Sequence, residues 1–148
     1  MKKKQTVKFR IPAGIDSGYR LRVTGAGNAG TRGGRSGDLY AFVTVSPHRD
    51  FERDGSDLYY KQKISYIKAA LGAAIEIPLI DGGKTALIIP QGTQPGTTFR
   101  MKGKGMPDIN GRGRGDQYVI VTVEIPAKLG REETELLKKL GHIRGDIK

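Results

Sequence analysis

Residues 89–123 read IPQGTQPGTTFRMKGKGMPDINGRGRGDQYVIVTV, and residues 11–45 read IPAGIDSGYRLRVTGAGNAGTRGGRSGDLYAFVTV. Ile89-Pro90, Gly92 and Gly96 answer Ile11-Pro12, Gly14 and Gly18. Arg100, Gly103 and Gly105 answer Arg22, Gly25 and Gly27. Gly115-Asp116 and Tyr118 answer Gly37-Asp38 and Tyr40, and Val121-Thr122-Val123 answers Val43-Thr44-Val45. The offset is 78 residues at both ends, from 11 to 89 and from 45 to 123, so no gap is needed. With 22 glycines in the chain, matches at glycine alone could be compositional. Matches at proline, arginine, aspartate, tyrosine and a strand triplet in one register are not. The chain is read as tandem copies of one β unit.

The flanking sequence supports this. Val7–Ile11, Tyr19–Val23 and Leu39–Val45 alternate or are β-branched, as half-buried strands are. A glycine-rich loop, Gly25–Gly37, separates the last two. His48–Asp57 reads as a connector with a turn at Asp54-Gly55. Leu58–Tyr66 is a strand with Tyr60, Gln62, Ile64 and Tyr66 on one face. One helical turn follows at Ile67–Leu71, then strands at Ala74–Ile80 and Lys84–Ile89 joined by the hairpin turn Asp81-Gly82-Gly83. Thr98–Met101 and Tyr118–Ile125 complete the second copy. From Arg131 to Leu140 the period becomes helical. Leu129, Leu136, Leu137, Leu140 and Ile143 form one stripe, which must pack on its own domain or on a second subunit. Gly130 leaves this helix without a side-chain N-cap.

The expected fold is therefore all-β: two tandem small β-sandwich domains of related topology, the first incomplete, with a short C-terminal helix. The expected divisions are 1–54, 55–127 and 128–148.

A formal charge of +11 over 148 residues favours an acidic partner, or is simply a solvated basic surface. The absence of cysteine removes disulfides and thiolate zinc sites. Two distant histidines, His48 and His142, leave no basis for a metal site, and no cofactor is expected. No apolar run reaches membrane-span length, and the basic lead Lys2–Lys4 is not followed by an apolar stretch. Gly25-Ala26-Gly27-Asn28-Ala29-Gly30 has the spacing of a dinucleotide loop, but no helix pattern follows it. The Gly111–Gly115 arginine–glycine tract lacks aromatic stacking partners, so it is read as a flexible connector. Asp16, Asp38, Asp81 and Asp116 stand where carboxylates cap turns. No nucleophile–base pair is visible, and an enzyme is not expected. Phe51, alone among charged residues, is either a plug in its own core or a contact offered to a ligand.

Several motifs together resemble the C-terminal client-binding region of DnaJ-type co-chaperones. They are Gly37-Asp38-Leu39-Tyr40, Pro47-His48, Phe51 through Leu58, Ala69-Ala70-Leu71-Gly72, Ile89-Pro90-Gln91-Gly92-Thr93 and Arg100 through Pro107. The resemblance covers about Val7 to Leu140. It implies capture of unfolded polypeptide by strand addition, for delivery to a seventy-kilodalton heat-shock chaperone whose acidic tail would suit the basic charge. It implies a homodimer through the C-terminal helix (Leu136, Leu137, Leu140), a groove-lining role for Phe51, and a cytoplasmic setting without membrane contact. The family's His-Pro-Asp motif and cysteine-rich zinc module do not occur in these residues. The part preceding the second copy has no counterpart before the first, so the resemblance implies a fragment beginning just after the zinc module, with an unpaired strand edge. The alternative is a basic nucleic-acid-binding β protein.

Overall fold

Alternation in Asp57–Ser65 (β4) buries Leu58 and Ile64 and leaves Lys61 and Lys63 in solvent, which is the signature of a strand covered on one face. A computed structural model describes residues 8–23 and 37–148. β4 is paired on both edges. On one side Phe51–Asp54 (β3) runs antiparallel to it, joined by the tight turn at Asp54-Gly55. On the other, Gln117–Glu124 (β8) runs parallel, with Leu58 opposite Gln117 and Ser65 opposite Glu124. Thr98–Met101 (β7) adds antiparallel to β8, giving the sheet order β3-β4-β8-β7.

Ser65 ends β4 and starts the helix Tyr66–Leu71 (α1), its hydroxyl accepting from the Lys68 N–H at 3.2 Å. Ala73–Pro78 (β5) and Lys84–Ile89 (β6) form a hairpin whose turn is held by Asp81, with Oδ1 accepting from the Gly83 N–H at 2.8 Å. The core lies between this hairpin, α1 and the four-stranded sheet. Ile64, Ala69, Ile89 and Val121 are buried together, with Ile75, Leu87, Phe99 and Val123 packed around them. Fully burying a side chain such as Ile64, Ile89 or Val121 contributes about 1.5–3 kcal/mol.

The first copy supplies Arg20–Val23 (β1) and Leu39–Phe42 (β2), paired antiparallel. Their register repeats that of β7 and β8. Arg20 faces Phe42 as Thr98 faces Ile120, and Arg22 faces Tyr40 as Arg100 faces Tyr118. The flanking bonds repeat as well: Gly18 N–H to Val43 O at 3.0 Å matches Gly96 N–H to Val121 O at 2.8 Å. The duplication is thus present in the hydrogen-bond ladder, and the all-β class with a short terminal helix, Arg131–Arg144 (α2), is as expected.

Three expectations are corrected. Lys8–Ile11 is not a strand, and Ile11 is 61% exposed where its counterpart Ile89 is 1% exposed. The reason is pairing: β6 is a strand because β5 lies beside it, and no described residue pairs with 8–11. The supposed connector 48–57 contains β3, so the expected boundary at 54/55 runs through a hydrogen-bonded hairpin. The arginine–glycine tract is folded back, not loose. Asp108 N–H donates to Gly113 O at 2.8 Å, Gly115 N–H to Met106 O at 2.9 Å, and Arg114 bridges to Pro107. Lys2–Lys4 and nearly all of the loop expected from Gly25 lie outside the described residues.

Candidate functional site

The side chain of Phe51 is set by the first residue of β3. It is 6% exposed, with its ring 5.0 Å from His48 in an edge-on arrangement and 5.3 Å from Tyr60 across the strand pair. It also lines a cleft of about 1030 Å3, together with Val45, Leu58, Tyr60, Ile80 and Met106. Phe51 is thus buried among aromatic neighbours and at the same time borders the cleft. The cleft lies where the chain passes from the first copy to the second, because Val45–Asp50 forms part of its wall.

The edges of the sheets differ between the copies. β8 is paired by β4 and by β7, whereas β2, its duplicate, pairs among the described residues with β1 alone. Accordingly Leu39, Tyr40 and Phe42 are exposed, Phe42 at 79%, while the equivalent of Ala41, Val119, is wholly buried. An exposed strand edge with apolar side chains on it is a template for another extended chain.

Two carboxylates in equivalent positions fix the strand pairs. Arg22 Nε donates to Asp38 Oδ2 at 2.6 Å, and Arg100 Nε donates to Asp116 Oδ2 at 2.7 Å. Asp116 is held below the usual carboxylate range, first by the Gly103 N–H, 2.9 Å from Oδ1, and then by Arg100. Sequence reasoning placed these aspartates at turns but did not pair them with the arginines. The signal was available, because both partners recur at the 78-residue offset. A second feature missed was the stacking of Tyr59 on Tyr118, with centroids 5.2 Å apart and planes at 16°. The parallel register puts them side by side, and burial pushes the Tyr59 phenol above its ordinary value, with Asp54 and Asp57 adding to the effect.

Leu136, Leu137 and Leu140, the residues expected to pair two copies, lie on α2. Leu136 and Leu140 are 59% and 48% exposed, and Leu137 is half-buried. With Leu137 they border a groove of about 220 Å3 against Tyr66 and Ile67 of α1. No residue of α2 is buried. Gly130 occupies the N-cap with no side-chain bond, and Glu133 compensates by accepting the Gly130 N–H at 3.3 Å. No helix among the described residues is long and apolar enough to cross a membrane.

A duplicated β unit, a first sheet with one edge unpaired among the described residues and a terminal amphipathic helix accompany a family match. Residues 1–126 match the DnaJ C terminal domain family, and the chain belongs to it. Among curated relatives, the Chaperone protein DnaJ of Halothermothrix orenii is 48% identical over 144 residues, which is 97% of this chain and 38% of that protein. That of Carboxydothermus hydrogenoformans is 48% identical over 143 residues, again 97% and 38%. That of Geobacillus kaustophilus is 47% identical over 146 residues, 99% and 38%. The chain therefore spans a little over a third of the length of these relatives.

Proposed function

We propose that this chain is a non-enzymatic client-binding module of a co-chaperone. It captures extended, apolar stretches of unfolded polypeptide for delivery to a seventy-kilodalton heat-shock chaperone. The observation that carries this is the unequal pairing of β2 and β8. One of two equivalent strands has a free edge among the described residues, with Leu39, Tyr40 and Phe42 exposed beside it. Backbone hydrogen bonds along such an edge take any sequence, and apolar contacts supply preference. Phe51 and its cleft are proposed as the pocket that receives a client side chain. The +11 charge suits an acidic tail on the partner chaperone. The cytoplasm is the proposed compartment.

Leu136, Leu137 and Leu140 are proposed to pair two copies of the chain, so that one client spanning both is held by avidity. The proposed divisions are 1–50, 51–127 and 128–148, the first boundary moved from the expected 54 because β3 pairs with β4.

The test is binding of a labelled apolar peptide at low and moderate salt. Strand addition predicts an affinity nearly independent of salt, and loss of binding when alternate peptide amides are N-methylated. Phe51→Leu should weaken binding while keeping the sheet intact. Binding that instead requires phosphate, and weakens by on the order of 1000-fold between 50 and 200 mM salt, would establish the nucleic-acid alternative. That alternative gains little from Arg114, whose Nε already donates to Gly105 O at 3.0 Å.

A further inference from the structure

Arg53 follows Phe51 by two residues on β3, so both side chains leave the same face of the strand. Its guanidinium is distributed over three backbone carbonyls. Nη1 donates to Ile15 O at 2.9 Å, Nη2 to Gly14 O at 2.8 Å and Nε to Gly55 O at 2.8 Å. Asp16 Oδ2 lies 3.6 Å from Nε, and the Arg53 side chain is only 16% exposed. Gly14 and Ile15 belong to the first unit, while Gly55 belongs to the hairpin that opens the second.

The same turn is gripped from a second direction. Gly14 has φ +84°, and a Cβ there would collide with the Pro107 carbonyl and come within 2.9 Å of the Ile109 nitrogen. The turn is therefore held between Arg53 and residues 107–109, two parts of the second unit far apart in sequence. The duplicate turn provides an internal control. Gly92 has the same left-handed backbone, φ +78°, yet no described heavy atom lies within 4 Å of the position its Cβ would take. Close packing at Gly14 is thus not a requirement of the repeated fold. It belongs to the joint between the units.

We propose that Arg53 is the positioning residue of this joint, locking the two β units into one rigid body and setting the width of the cleft that Phe51 lines. A planar fork of donors suits three carbonyls at fixed angles, and a lysine ammonium on a flexible stem cannot reproduce it. The consequence for client capture rests on the function proposed above, but the lock itself does not.

The chain has no cysteine, so spin labels on Thr44→Cys and Lys63→Cys, both exposed and on different units, report the spacing directly. The otherwise unaltered chain should give one narrow distance. Arg53→Ala should broaden it, and Arg53→Lys should give an intermediate width. Gly14→Ala should shift the distance by pushing the turn off Pro107 while Arg53 itself is kept. Arg112→Ala, which removes an exposed arginine of the same charge, should leave the distance unchanged. Circular dichroism on each variant confirms that the sheets persist. A distance distribution unaltered in Arg53→Ala overturns the proposal, whatever Gly14→Ala does. Apolar-peptide affinity on the same samples separates the two claims. A loss of about tenfold in Arg53→Ala, the cost of lost preorganisation, supports a cleft positioned for clients. Broadened distances with unchanged affinity would uphold the lock and remove the cleft from the client site.

Discussion

Ile11 and Ile89 are the same residue at equivalent positions of a duplicated unit, and only one is in a core. Truncating Ile89 to alanine should cost about 2–5 kcal/mol, the usual result of emptying a buried aliphatic site. Ile11→Ala, at an exposed position, should stay within about 0.5 kcal/mol. Denaturant unfolding of the two variants measures this difference, and equal losses would show that Ile11 is buried in solution. Asp116 offers a second test. Its folded-state acidity is strengthened by Gly103 and Arg100, so its pKa is depressed. Its stabilisation is therefore present above the unfolded value, about 3.9 for aspartate, and is lost as pH falls through the lower folded value. Melting temperature below about pH 4 should fall more steeply in the unaltered chain than in Asp116→Asn. Parallel acid limbs would sink the assignment.

At the scale of elements, α2 has no buried residue. Its stripe is half-covered at Leu137 and open at Leu136 and Leu140. Replacing both Leu136 and Leu140 with aspartate should convert a dimer into a monomer, since two carboxylates cannot be buried unpaired at a helix interface. Mass in solution decides this, and the same species before and after would refute pairing through α2. The element list itself was largely legible in the sequence, because period and turn chemistry act locally. Asp81-Gly82 marked the β5–β6 turn, and the leucine spacing marked α2. The failures occurred where a partner decides. The stretch 8–11 carries a strand pattern but has no neighbour to pair with among the described residues. β3 was hidden in a charged stretch, because four residues with Phe51 as the only apolar member are too few to show a period. Phe51 stood out as a lone apolar residue among charges, and only the groove-lining role expected of it came from the family resemblance. Arg53 was not singled out, because its partners Gly14 and Ile15 are joined to it only by tertiary folding.

Taken as a whole, the molecule is a repeat whose two copies are differently paired among the described residues, and the joint at Gly14 ties one copy to the other. The second copy is closed by a pairing between chain segments that are remote in sequence. Asp57 Oδ1 accepts from the Asp116 N–H at 2.9 Å across 59 residues, at the head of the parallel β4–β8 register. Loop closure over that span must precede any gain from the central strands, which raises contact order and slows folding. During synthesis, β4 would leave the ribosome long before β8, with only the short β3 beside it. A protein proposed to capture unfolded polypeptide would thus, for part of its own biogenesis, be an unfinished chain of the kind it is proposed to bind.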